Sequence, residues 1–106
     1  MSLEEFYRHF RWWMDPDDGR ALRRFNAIVS FFEGQDVEAS RVLDLCAGTG
    51  IAGVAAAKAL SASELTLVEA RAEDMKKAWK WLELAGIRPE LRTVAGDVLD
   101  LPSLVG

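Results

Sequence analysis

The stretch Arg41–Gly53 constrains the fold more than any other part of this 106-residue chain. Val42, Leu43 and Leu45 form a short apolar run, which favours a strand buried on both faces of a parallel sheet. A loop of small residues follows, namely Cys46, Ala47, Gly48, Thr49 and Gly50. An alanine-rich helix is predicted over 51–60. Strand, small-residue loop and helix in this order are typical of a nucleotide-binding βαβ unit, because small residues let a ligand approach the backbone.

The rest of the chain predicts two N-terminal helices within residues 1–39 and a βαβαβ unit over residues 40–106, together forming one domain. Further strands are predicted at Glu64–Glu69 and at about Leu91–Ala95. The expected fold is an α/β, Rossmann-like three-layer sandwich with a partial parallel sheet of strand order 3-2-1 and right-handed crossovers. Glu69 and Asp97, which follow the second and third strands, should then lie at the same carboxyl edge as the loop.

Helical spacing gives specific expectations about what is buried. Asp15 is the predicted N-cap of the second helix, with Pro16 at its first helical position. A later helix is predicted at Arg71–Ala85, with Trp81 near the rim of its apolar stripe. The predicted members of that stripe are Met75, Ala78, Trp79 and Leu82. The aromatic first helix suits packing on the core better than a lid over a pocket.

The segment Asp44-Leu-Cys-Ala-Gly-Thr-Gly50 resembles the first motif of class I S-adenosylmethionine (SAM)-dependent methyltransferases. In that family an acidic residue precedes Gly-x-Gly-x-Gly. Cys46 stands where the first glycine usually is, a departure that many members share. Leu65-Thr-Leu-Val-Glu69 and Val94-Ala-Gly-Asp-Val98 resemble the next two motifs and occur in the same order. The resemblance covers roughly residues 40–102, the N-terminal, cofactor-binding part of such an enzyme.

The resemblance implies that SAM is the cofactor, with S-adenosylhomocysteine as product. The implied cofactor-contacting residues are Asp44, Cys46, Ala47, Gly48, Gly50, Glu69, Ala70, Asp97 and Val98. Asp44 would fix the loop and face the amino-acid end of SAM, and Glu69 would accept both ribose hydroxyls. Ala70 would pack beside the adenine, whose amino group Asp97 would accept while the Val98 amide donates to the ring. No residue is assigned to catalysis, and the methyl acceptor is unidentified.

Each acid also has a purely structural interpretation. On that interpretation Asp44 only accepts loop amides, Glu69 is a surface acid that follows a strand, and Asp97 only shapes a turn. A competing function is an NAD(P)- or FAD-binding module, because Gly48-x-Gly50-x-x-Gly53 matches the dinucleotide fingerprint and Glu69 has the right offset. Asp44 counts against it, since that fingerprint normally keeps the strand apolar, and so does the Gly-Asp-Val of the third strand.

Length raises a third alternative. A complete fold of the resembled family is seven-stranded, whereas this chain has room for about three strands. The chain is therefore expected to be the front half of a larger domain. The first strand would lack a neighbour on one side, which favours a homo-oligomer or a complementing chain at that edge. Such a half-domain need not catalyse anything.

Composition excludes several classes of function. The formal net charge of −4 does not indicate a nucleic-acid partner, and no apolar run approaches the roughly 20 residues of a membrane span. A single cysteine favours a reducing cytoplasm, and the lack of a His/Cys cluster argues against a metal site.

Overall fold

In the computed structural model, residues 1–100 are described, and they form an α/β fold with one parallel sheet. The helices are α1 (Leu3–Phe10), α2 (Gly19–Glu33), α3 (Ile51–Leu60), α4 (Ala72–Met75) and α5 (Ala78–Ala85). The strands are β1 (Arg41–Leu45), β2 (Glu64–Glu69) and β3 (Glu90–Ala95). Short 3-10 helices occupy Arg11–Trp13 and Val98–Asp100.

The sheet has the predicted order, with β2 paired in parallel to both β1 and β3. Leu45 at the end of β1 is in register with Val68, and Glu69 at the end of β2 is in register with Ala95. Because all three strands run the same way, their carboxyl ends share one edge of the sheet. The loop after β1 and the turns after β2 and β3 therefore begin at neighbouring points.

The core lies between the sheet and the helices that pack on it. Leu65 and Leu67 of β2 are completely buried there, and α3 packs against β1, β2, α2 and α5. The ring of Phe25 in α2 stacks on that of Trp81 in α5, with 4.9 Å between centroids and an interplanar angle of 13°. Such an offset pair adds about 1 kcal/mol to the burial of its apolar area. The N-terminal helices thus share one core with the βαβαβ unit.

The prediction that β1 is buried on both faces is wrong. Val42 and Asp44 are partly buried, whereas Leu43 and Leu45 are 52% and 44% exposed. Successive side chains of a strand point to opposite faces, so the two leucines share the face turned away from α3. Residues 1–100 do not cover the sheet around these leucines, and the third layer of the predicted sandwich is not formed there.

The predicted helix at Arg71–Ala85 is interrupted between α4 and α5. The Lys77 amide donates to the Asp74 carbonyl and the Lys80 amide donates to the Lys77 carbonyl, each three residues back. This tighter turn changes the helical phase, so the spacing from Met75 to Trp79 no longer marks one face. Trp79 is 57% exposed and Trp81 is fully buried, the reverse of the prediction.

The second helix begins later than predicted. Its N-cap is Asp18, whose Oδ1 accepts from the Arg20 amide at 2.8 Å. Asp15 instead accepts from the Asp17 amide at 2.9 Å and closes a local turn, because an aspartate can bond the backbone two residues on. No helix within residues 1–100 combines the length and the apolarity that a bilayer crossing requires. Residues 101–106, including the predicted end of the motif region at Pro102, lie outside the described part.

Candidate functional site

The glycine loop and the end of β2 meet through the carboxylate of Glu69. Its Oε1 accepts from the Gly48 amide at 2.9 Å, and its Oε2 accepts from the Arg71 amide at 2.8 Å. The parallel pairing of β1 and β2 makes this possible, because both strands end at the same edge. Glu69 therefore bridges the loop after β1 and the turn after β2, and its side chain is only partly buried.

Asp44 joins β1 to the first turn of α3. Its Oδ2 accepts from the Gly53 amide at 2.9 Å, so it satisfies one of the amides that a helix start leaves without an intrahelical partner. Burial raises the pKa of the Asp44 carboxyl, the negative charge of Glu69 raises it further, and the hydrogen bond from Gly53 opposes both. The structure thus gives Asp44 the loop-shaping role. Its contact with a cofactor stays a prediction.

Each glycine of the fingerprint is required by packing within the chain. Gly48 and Gly50 have positive φ angles of 57° and 87°. A Cβ would lie 2.9 Å from the Met14 sulfur if placed on Gly48, and 2.9 Å from a methyl of Leu67 if placed on Gly50. A Cβ on Gly53 would lie 2.9 Å from Asp44 Oδ2. The glycine pattern alone therefore does not distinguish SAM from a dinucleotide, and the acids must do so.

Cys46 occupies the position at which the resembled family usually has glycine, and its backbone explains that preference. Its φ is 59°, in the left-handed region that a side chain disfavours. The cysteine is exposed. The neighbouring Ala47 is buried, and its amide donates to the Val68 carbonyl at 3.0 Å. Ala47 thus ties the loop to β2, and ligand contacts of Cys46 and Ala47 stay predictions.

The turn after β3 begins at the same edge. The Gly96 amide donates to the Glu69 carbonyl at 3.1 Å, which places Asp97 directly after that contact. Asp97 is exposed, and its Oδ1 accepts from the Leu99 amide at 2.9 Å, so it caps the 3-10 helix that starts at Val98. Ala70 is exposed beside Glu69. Both residues therefore lie at the sheet edge at which the loop begins, while their adenine contacts stay predictions.

Sequence reasoning missed the buried residues whose hydrogen bonds attach the loop to the N-terminal segment and to α5. The Thr49 hydroxyl donates to the Met14 carbonyl, and Trp81 Nε1 lies 3.2 Å from that carbonyl and 3.0 Å from Thr49 Oγ1. All three residues are buried. Thr49 belongs to the quoted motif, but no local signal links it to positions 14 and 81. The N-terminal segment is therefore part of the architecture of the site.

Comparison with known proteins bears on the fold. No protein-family model matches the chain, and no curated protein matches it. Among solved structures it is similar to the SAM-dependent methyltransferase from Agrobacterium tumefaciens, with a TM-score of 0.54 and 25% sequence identity over 77% of this chain. The fold is methyltransferase-like. The matched region is 26% of that structure, so this chain spans about a quarter of its length.

Proposed function

We propose that this chain binds SAM at the carboxyl edge of its sheet, as the cofactor-binding part of a methyltransferase. The observation that carries the proposal is the 2.9 Å contact between Glu69 Oε1 and the Gly48 amide. It sets an acid at the end of β2 against a small-residue loop, which is the arrangement that recognises an adenosyl group in nucleotide-binding sheets. The similarity to a SAM-dependent methyltransferase favours SAM as the ligand.

Glu69 retains the capacity to bind a ribose. A carboxylate offers about four lone-pair sites on its two oxygens, and the amides of Gly48 and Arg71 use one on each. The remaining sites are acceptors for the two ribose hydroxyls. Because both oxygens are held by backbone amides, the carboxylate is oriented before the ligand arrives, which lowers the entropic cost of binding.

The charge of the site favours a cationic ligand. Asp44 and Glu69 lie close enough for the charge of Glu69 to raise the pKa of Asp44, so the two carboxylates repel each other when both are ionised. SAM bears a sulfonium and an ammonium against a single carboxylate and is cationic overall, so it would relieve this repulsion, whereas the pyrophosphate of a dinucleotide would add to it. This argument favours SAM over NAD, although both fit the glycine pattern.

Methyl transfer needs an acceptor beside the bound cofactor. Bound SAM would supply an electrophilic methyl group for in-line displacement by a lone pair of the acceptor, with S-adenosylhomocysteine as the leaving group. This displacement depends on orientation more than on acid–base chemistry. The residues proposed here hold the adenosyl group and shape the loop, and none of them is assigned to the acceptor. We place the reaction in a reducing cytoplasm, consistent with the free thiol of Cys46.

Calorimetric titration with three ligands tests the proposal. SAM, S-adenosylhomocysteine and NAD are titrated separately into the full chain, with the heat of dilution of each ligand as the blank. We expect the SAM pair to bind and NAD not to bind. Binding of NAD without the SAM pair would establish the dinucleotide alternative and contradict the proposal.

A second proposal concerns the exposed edge strand β1. Leu43 and Leu45 are exposed beside an unpaired strand edge within residues 1–100. We propose that a second copy of this chain associates through that edge and the apolar face beside it, because a two-fold axis would bring the same strand edge and the same leucines of both copies together. Light scattering that gives the monomer mass at every concentration would contradict it. A chain that binds SAM and methylates nothing would match the half-domain alternative.

A further inference from the structure

Asp74 is a buried carboxylate in α4, with a relative exposure of 2%. Arg71 Nε lies 3.3 Å from its Oδ2, and Arg11 Nη2 lies 3.5 Å from its Oδ1. A buried charge costs several kcal/mol unless it is paired, so this carboxylate depends on its two guanidinium partners. One partner follows β2, and the other belongs to the 3-10 helix that continues α1.

Each partner leads to a different part of the molecule. The Arg71 amide donates to Glu69 Oε2 at 2.8 Å, so the residue that pairs with Asp74 also orients the proposed ribose acceptor. The guanidinium of Arg71 additionally pairs with Glu4 of α1 at 2.8 Å. Arg11 anchors the other end of α1. Both ends of α1 are thus tied to the segment that carries Glu69.

We propose that Asp74 is a positioning residue that couples α1 to Glu69, so that SAM binding at Glu69 orders α1. The inference rests on the proposed function. A ligand held by Glu69 restrains the backbone of Arg71, the restrained guanidinium holds Asp74 and Glu4, and these contacts fix α1. By linkage, α1 in its docked position favours the orientation of Glu69 that binds the ligand.

The chain offers a matched control. Asp17 pairs with Lys80 at 2.9 Å, so it also connects the N-terminal segment to the helices that follow β2. Asp17 is largely exposed, and Lys80 lies in α5, outside the α4 segment that carries Asp74. Asp17→Asn therefore removes an ion pair between the same two regions without touching the path through Asp74.

Hydrogen exchange measured residue by residue tests the coupling. In the wild type and in Asp17→Asn, we expect SAM to slow amide exchange in residues 3–10 by at least about fivefold, the lower end of typical coupling between sites. In Asp74→Asn this slowing is lost, and the affinity for SAM falls. Arg11→Gln serves as a second variant if Asp74→Asn fails to fold, because Arg11 is partly exposed and leaves the Arg71–Asp74 pair intact.

The ligand-free protein gives an independent readout. Glu4→Gln changes a largely exposed residue on α1, and coupling predicts that it speeds exchange of the Arg71 amide that donates to Glu69. Unchanged exchange at Arg71, or SAM-induced slowing of α1 that persists in Asp74→Asn, would overturn the inference. A wild type that does not bind SAM would contradict the proposed function instead, and exchange in the ligand-free variants would still decide whether α1 and Glu69 are coupled.

Discussion

The carboxylate of Glu69 accepts a hydrogen bond from the amide of Gly48 at 2.9 Å, although the two residues are 21 positions apart. The contact links the acid after β2 to the loop after β1. It makes the conformation of the loop depend on Glu69 and the orientation of Glu69 depend on the loop.

Gly53→Ala should destabilise the fold. A Cβ at this position would lie 2.9 Å from both Asp44 Oδ2 and Leu67 Cδ2, so these buried or half-buried side chains or α3 itself must shift. Overpacking of this kind typically costs about 1–3 kcal/mol. We expect a loss of that size in the free energy of unfolding when the variant is compared with the wild type by urea denaturation. Gly19→Ala is the control, because a Cβ there meets nothing within 4 Å. Equal stability of the two variants would contradict the close approach of α3 to β1.

Substitutions of Cys46 should change the stability of the fold according to how well the new residue tolerates a left-handed backbone. With φ at 59°, Cys46→Gly removes strain of about 1 kcal/mol, which offsets the greater freedom of glycine in the unfolded chain. Cys46→Val should lose about 1–2 kcal/mol in denaturant unfolding, because a β-branched side chain fits this conformation poorly. Cys46→Ala separates the effect of the thiol from that of the Cβ. A valine variant as stable as the wild type would contradict the assigned backbone.

The pH dependence of stability should carry a contribution from Asp44. Its folded-state pKa is raised above the ordinary value of 3.8, chiefly by burial, so the folded state keeps the proton over a range in which the unfolded state has lost it. Stability from this group is therefore present below pH 3.8 and is lost as pH rises through the raised pKa. The free energy of unfolding of the wild type minus that of Asp44→Asn should fall with rising pH.

Asp18 provides the opposite sign in the same experiment. The hydrogen bonds from Arg20 lower its pKa to about 2, so its contribution is present above pH 3.8 and is lost as pH falls towards 2. The free energy of unfolding of the wild type minus that of Asp18→Asn should therefore fall towards acid pH. Both differences are measured by urea unfolding across the acidic range. A difference for Asp44 that stays level or rises with pH would contradict its burial beside Glu69.

Leu43→Lys should prevent association through the β1 edge. The substitution places a charge at the centre of the exposed apolar face, and an association through the edge and this face would have to desolvate it. The expected result is a monomer mass by light scattering at concentrations where the wild type self-associates. Leu84→Lys alters a leucine of nearly equal exposure on α5 and should leave the mass of the wild type unchanged. Equal behaviour of both variants would contradict this edge as the interface.

The sequence predicted the sheet and its edge because those depend on local patterns. Apolar runs marked the strands, the loop of small residues marked the turn into α3, and parallel order then brought Glu69 towards Gly48. The alternation in β1 was misjudged because a run of valine and leucine does not reveal which face a further layer covers. In the structure, the face of β1 that carries Leu43 is exposed.

Contacts between residues far apart in the chain have no comparable signal in the sequence. Asp74 and Arg11 are 63 positions apart, and nothing near either residue indicates that the carboxylate is buried. Trp81 was assigned to the rim because helical spacing was carried across the turn between α4 and α5. Its hydrogen bonds to Met14 and Thr49 depend on the N-terminal segment folding back onto the loop. Such contacts follow from tertiary packing, which local periodicity does not encode.

Titration of the isotopically labelled chain with SAM, followed by the amide NMR signals of Gly48 and Arg71, tests the central claim most directly. Both amides donate to Glu69, so we expect both signals to shift on binding. Glu69→Gln should weaken SAM binding by about tenfold or more, as expected for loss of a charged hydrogen-bond acceptor, while the exposed Glu73→Gln keeps the affinity of the wild type. SAM that binds equally to both variants, or leaves the two signals unmoved, would contradict the account.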